Sequence, residues 1–118
     1  MKTAIVFEDD RRIADYVGEI LHDVGMDVTH SDCHGEALPV MPIDLAVCDL
    51  SHHNLLVTQS LNTLRHEHHE TRVIAIIDRD QRVEGIRRDD AILERPFNAA
   101  DLLTVINQLE SQPISHVG

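Results

Sequence analysis

"IDLAVCDL", residues 43–50, decides the fold of this 118-residue chain. Its apolar positions follow one another almost without a break. That is the pattern of a strand covered on both faces in a parallel sheet, not of one with a wet side. The run stops on a bare carboxylate, Asp49. A charge there is a helix cap, a turn residue or part of a chemical site. The last reading requires other charged groups to arrive at the same place.

Working outward, "TAIVF" (3–7) is another short, continuous, β-branched run, and "RVIAII" (72–77) and "AILE" (91–94) complete the buried set. "MDVTHS" (26–31) alternates like a half-covered edge strand. Between these runs the apolar residues change to helical spacing. Ile13, Val17, Ile20, Leu21 and Val24 mark one helix, closed by Gly25. Leu56, Val57, Leu61 and Leu64 mark a second. Leu102, Val105, Ile106 and Leu109 mark a last one, opened by Asn98 as cap with Asp101 three residues on. A short helix is expected around 36–38, clipped by Pro39 and Pro42. Residues 79–90 offer only Val83 and Ile86 as apolar anchors and carry Gly85, so they read as a weak helix at best.

Parallel strands need crossover connections, so five strands separated by helical segments predict an α/β domain with helices on both faces. Right-handed crossovers make it doubly wound, with the flavodoxin-like order 2-1-3-4-5 as the usual outcome. The whole chain, 1–118, reads as one domain, without repeat, linker or low-complexity tract. In this architecture all strands end on one edge, where ligands bind beside the reversal of strand order. Glu8 and Asp9 follow the first strand, Asp49 ends the third, Asp78 follows the fourth and Arg95 the fifth. Crowded carboxylates require a cation, a proton or a pairing arginine. Oxygen-only donors suit Mg²⁺, and a carboxylate beside Mg²⁺ can attack a phosphoryl group. Asp10, just ahead of the first helix, reads as its cap.

The totals narrow the partners. Twenty-one acidic against ten basic residues give a net charge of −11, which disfavours nucleic acid and anionic membrane surfaces. No stretch has membrane-spanning length, and the opening "MKTAIVFEDD" lacks the pattern of a secretory leader. Cys33 and Cys48 show no metal-ligand spacing and read as buried reduced thiols in a cytoplasmic protein. His66 and His69 read as a solvated helix end, although their spacing also suits a transition metal.

"IVFEDD", then "DLAVCDL", then "LERPFNAADLL" resemble, in that order, the CheY-like receiver domains of two-component response regulators. The "GEAL" at 35–38 resembles them too. The resemblance implies a phosphoacceptor at Asp49 and a Mg²⁺ site made by Asp9, Glu8, Asp49 and the backbone carbonyl of Ser51. It also implies a cis bond before Pro96 and a role as a signalling module, not an enzyme. Phosphoryl groups would come from a histidine kinase or phosphotransfer protein. Output would pass to a protein docked on the fourth helix, fifth strand and fifth helix, about residues 79–109, with a second copy of the chain as one candidate.

Four positions depart from the family. Asp78 stands where a hydroxyl residue is usual, Arg95 replaces a lysine, Ile92 replaces an aromatic, and "SHH" (51–53) follows the acceptor in place of an apolar residue and proline. A carboxylate at 78 accepts but does not donate, and a guanidinium is a planar fork instead of a compact ammonium. Such changes mark atypical or pseudo-receivers. Asp78 and Arg95, opposite charges on neighbouring strand ends, are expected to pair and lock the site. The alternative function is a phosphorylation-independent interaction module. A Mg²⁺-dependent enzyme using the same edge is a third reading.

Overall fold

The structure, a computed structural model, describes residues 3–33, 38, 39 and 41–111. Five parallel strands, β1 (Thr3–Phe7), β2 (Asp27–Ser31), β3 (Leu45–Asp49), β4 (Arg72–Asp78) and β5 (Ala91–Arg95), form one sheet in the order β2-β1-β3-β4-β5. Three α-helices lie among the described residues: α1 (Arg11–Asp23), α2 (Leu55–Glu67) and α3 (Ala99–Ser111). A single 3₁₀ turn, Ser51–His53, follows β3.

The continuous apolar runs are explained by two cores, one on each side of the sheet. Alternate strand residues Val6, Val47, Ile74, Ile76 and Leu93 pack with α1 and α3. The intervening ones, Ile5, Phe7, Cys48, Ala75 and Ile77, pack with α2. Leu64 of α2 and Leu102 of α3 are fully buried; each such side chain stabilises the fold by about 1.5–3 kcal/mol. No helix among the described residues is long and apolar enough to cross a membrane.

Local chemistry sets the helix ends. Asp10 caps α1, its carboxylate accepting the Arg12 amide at 3.0 Å. At the other end Gly25, at φ +89°, donates to the His22 carbonyl while Met26 donates to that of Leu21. This double bond pattern needs a left-handed residue after the cap, which glycine adopts without a Cβ clash. Val24 continues the helical spacing in sequence, but as the capping residue it is 47% exposed. At α3 the expected box forms: the Asp101 amide donates to Asn98 Oδ1 at 2.9 Å and the Asn98 amide to Asp101 Oδ2 at 3.0 Å.

Residues 79–90 form turns and no helix, so the fourth helix implied by the family resemblance is absent. Val83 and Ile86 pack on the α2 side as expected. Arg65 of α2 holds the segment down through the Asp90 carboxylate and the Gly85 carbonyl. With no helix there, Ile92 on β5 is left 47% exposed. The short helix expected around 36–38 falls largely outside the described residues.

Candidate functional site

The carboxyl ends of the strands bring Glu8, Asp9, Asp49, Ser51 and Arg95 together, with Asp78 at the flank. Asp49 ends β3 inside the protein, its side chain 5% exposed. Its Oδ1 accepts the Ser51 amide at 2.9 Å and also the Ser51 hydroxyl. An aspartate that bonds the backbone two residues on is a self-contained turn, which fixes the carboxylate without outside help. Its Oδ2 lies 3.5 Å from Arg95 Nη2, and Arg95 Nη1 donates to Ser51 Oγ at 3.2 Å. A planar fork can serve both acceptors at once.

Glu8 follows β1 and is buried. Its Oε1 accepts the Asp10 amide at 2.9 Å, while Oε2 is buried without a hydrogen-bond partner among the described residues. Burial, then contact with the Asp49 carboxylate, push the Glu8 pKa up to about 9. At neutral pH the group therefore holds a proton, and a protonated carboxyl can donate where a carboxylate cannot. Asp9 is exposed and accepts from Asn54 Nδ2 at 3.2 Å.

The expected ion pair between Asp78 and Arg95 does not form. The two are direct partners in the β4–β5 register, yet their side chains go elsewhere. Arg95 reaches across to buried Asp49, the carboxylate that most needs a counter-charge. Asp78, half-buried, instead accepts the His52 amide at 2.9 Å, with His52 Nδ1 3.4 Å from the same oxygen. The peptide bond Arg95–Pro96 is cis, as expected. Ile92 lies on β5, three residues before Arg95.

The donor set fits a hard divalent cation in chemistry: carboxylates only, with Glu8 Oε2 a buried oxygen that a cation would satisfy. No three His, Cys, Asp or Glu side chains among the described residues are gathered about one point as a metal site. His66 lies in the last turn of α2, and His69 follows the helix in a turn. Mg²⁺ keeps most of its waters and takes one or two carboxylates directly, so a pair of these groups is enough. Cys48 lies beneath the site in the core, where burial raises its thiol pKa and keeps it inert.

Three further residues shape the edge. Asn54 was missed in the sequence, although its place ahead of an apolar helical run is a cap signal; it caps α2 and also reaches Asp9. His52 belongs to the "SHH" that departs from the family, but its bond to Asp78 carried no signal, and neither did Gln81, which donates to the Leu50 carbonyl at 2.9 Å and accepts the Asp78 amide at 2.9 Å. Such loop-to-loop bonds have no sequence period.

Comparison with solved structures identifies the fold as that of receiver domains. A response regulator receiver protein from Burkholderia phymatum is similar at a TM-score of 0.68 and 16% identity, covering 97% of this chain and 98% of that one. A response regulator from Thermotoga maritima gives 0.67 and 19%, with 95% and 99% covered. The Vibrio cholerae chemotaxis protein CheY4 gives 0.70 and 15%, with 92% and 98% covered. No protein-family model matches the chain. No curated protein matches it either.

Proposed function

We propose that this chain is a response-regulator receiver domain that accepts a phosphoryl group on Asp49 and signals through protein contacts. One observation carries the reading. A buried carboxylate at the end of a central strand faces Arg95 and has Glu8 and Asp9 beside it, next to the reversal of strand order. Independent caps would not converge there.

In the reaction an Asp49 oxygen attacks the phosphorus of a donor, a phosphohistidine of a histidine kinase or phosphotransfer protein. The new O–P bond forms as the donor's P–N bond breaks, and the imidazole leaves with that electron pair and takes up a proton. Mg²⁺, held by Asp9, Glu8, Asp49 and the Ser51 carbonyl, would screen the incoming charge. Arg95 is placed to hold a phosphoryl oxygen with the fork that now serves Asp49 and Ser51. The protein acts as acceptor and binding module in the cytoplasm, not as an enzyme. Its output surface is about residues 79–109, toward a downstream protein or a second copy.

A second reading has its own support. Both Asp49 oxygens already have partners in Ser51 and Arg95, the state expected of a phosphorylation-independent interaction module. Intact mass after treatment with a small acyl phosphate and Mg²⁺ separates the two. A phosphoryl adduct that is lost in Asp49→Asn supports the acceptor. No adduct under forcing conditions favours the constitutive module.

A further inference from the structure

We infer that Asp78 and Gln81 form a fixed brace between the loops after β3 and β4, so that this edge keeps one conformation with or without a phosphoryl group on Asp49. The inference rests on Asp49 being the acceptor. Three hydrogen bonds make the brace. The His52 amide donates to Asp78 Oδ2 at 2.9 Å, Gln81 Nε2 donates to the Leu50 carbonyl at 2.9 Å, and the Asp78 amide donates to Gln81 Oε1 at 2.9 Å. The Leu50 amide adds a bond at 2.8 Å to the Ile76 carbonyl of β4. His52, His53 and Asp80 all take positive φ, of 59°, 53° and 63°. Residues other than glycine hold that conformation when their surroundings impose it.

A ligand shifts a conformational equilibrium only through its different affinity for the two states. For a phosphoryl group on Asp49 to draw the β4 loop inward, it must offer that loop a bond it lacks. Here the loops are joined beforehand, and residue 78 presents an acceptor to an incoming anion where a donor is needed. The group therefore changes the charge and shape of the edge itself without moving the remote surface. A partner docked on about residues 79–109 must therefore also reach the edge itself, at Asp49, the loop 50–54 or Asp78, to read the modification.

Amide hydrogen exchange tests the brace without any phosphorylation. In Asp78→Ala the His52 amide should exchange about tenfold faster, the factor given by loss of one ordinary hydrogen bond, with α3 unchanged. Asp78→Asn keeps a carbonyl oxygen for that amide and should stay near the parent. Unchanged exchange at His52 in Asp78→Ala overturns the brace. A second arm follows backbone amide resonances during treatment with a small acyl phosphate and Mg²⁺. Labelled parent should shift only around residue 49, and labelled Asp78→Thr/Gln81→Ala, which releases the brace and gives residue 78 a donor, should shift into β5 and α3 as well. Shifts reaching β5 and α3 in the parent overturn the inference. Failure of every variant to label overturns the acceptor reading and, with it, the statement about a phosphoryl group, while the exchange arm still decides the brace between the loops.

Discussion

Asn54 ties Asp9 to the start of α2. Its side-chain oxygen accepts the Leu56 and Val57 amides at 3.1 and 3.2 Å, and its nitrogen donates to Asp9 Oδ1 at 3.2 Å. The site's exposed carboxylate is thus oriented by a residue whose first duty is to open a helix. Asn54→Ala should lower stability by about 1 kcal/mol in urea denaturation, the usual loss on deleting such a cap. Asn54→Asp should keep most of the cap but place a second carboxylate against Asp9. Its stability should therefore recover on adding Mg²⁺ more than the parent's does. Equal stability of Asn54→Ala and parent would mean that the cap contributes nothing.

Glu8 makes the metal-free protein sensitive to alkali. Its folded pKa of about 9 lies above the ordinary 4.5, so between those values the folded state holds a proton that the unfolded chain has lost. Stability from this group is fully present below pH 4.5 and is lost as pH rises toward 9. Thermal unfolding in a chelator should show the midpoint falling across that window. Glu8→Gln cannot ionise and should flatten the curve. A slope that survives in Glu8→Gln assigns the effect to another group.

Strand order, the two-sided core and the convergence of Glu8, Asp9 and Asp49 were legible in the sequence because each rests on a period or a strand end. "TAIVF" and "LAVC" have no polar alternation, and the two cores show why: successive residues go to α1 and α3 or to α2. Side-chain partnership at the edge was less legible. Asp78 and Arg95 are in register, but register fixes Cα positions and not where a long guanidinium reaches. Burial decided that choice: Asp49 is deep and needs charge, while Asp78 is shallow enough to be served by an amide. The missing fourth helix was signalled by its sparse apolar anchors and Gly85. The Arg65 contact that replaces it was not, because it joins residues 25 apart with no local pattern.

Divalent cation should raise the thermal midpoint, since an ion bound only by the folded state stabilises by mass action. The gain should grow with pH, because the ion must displace the proton on Glu8 before using that carboxylate. Titrating Mg²⁺ at pH 6 and pH 8 while following unfolding checks both statements. Arg95→Gln removes the cation now beside Asp49 and should make stability depend more strongly on Mg²⁺. A midpoint indifferent to millimolar Mg²⁺ in parent and variant alike would show that proton and arginine suffice.

Arg65 and Asp90 form an ion pair with side chains 11% and 3% exposed, and it anchors residues 79–90. Asp90 also accepts the Arg87 amide at 2.7 Å, and Arg65 reaches the Gly85 carbonyl at 3.2 Å, so one pair organises the turns before β5. Deleting one member leaves the other charge buried and unpaired. Arg65→Ala should therefore lose about 3–5 kcal/mol, well beyond what its lost packing alone explains. The Arg65→Met/Asp90→Leu double variant has no buried charge and should recover much of that loss, because desolvation of the pair offsets most of its attraction. Hydrogen exchange in the parent should show residues 79–90 opening before α3, since a segment without a helix is secured by Val83, Ile86, this pair and the Gln81 bonds to Leu50 and Asp78. If Arg65→Ala is as stable as the double variant, water reaches Asp90 and the pair is a surface contact; equal protection of 79–90 and α3 would mean that something besides the pair secures the segment.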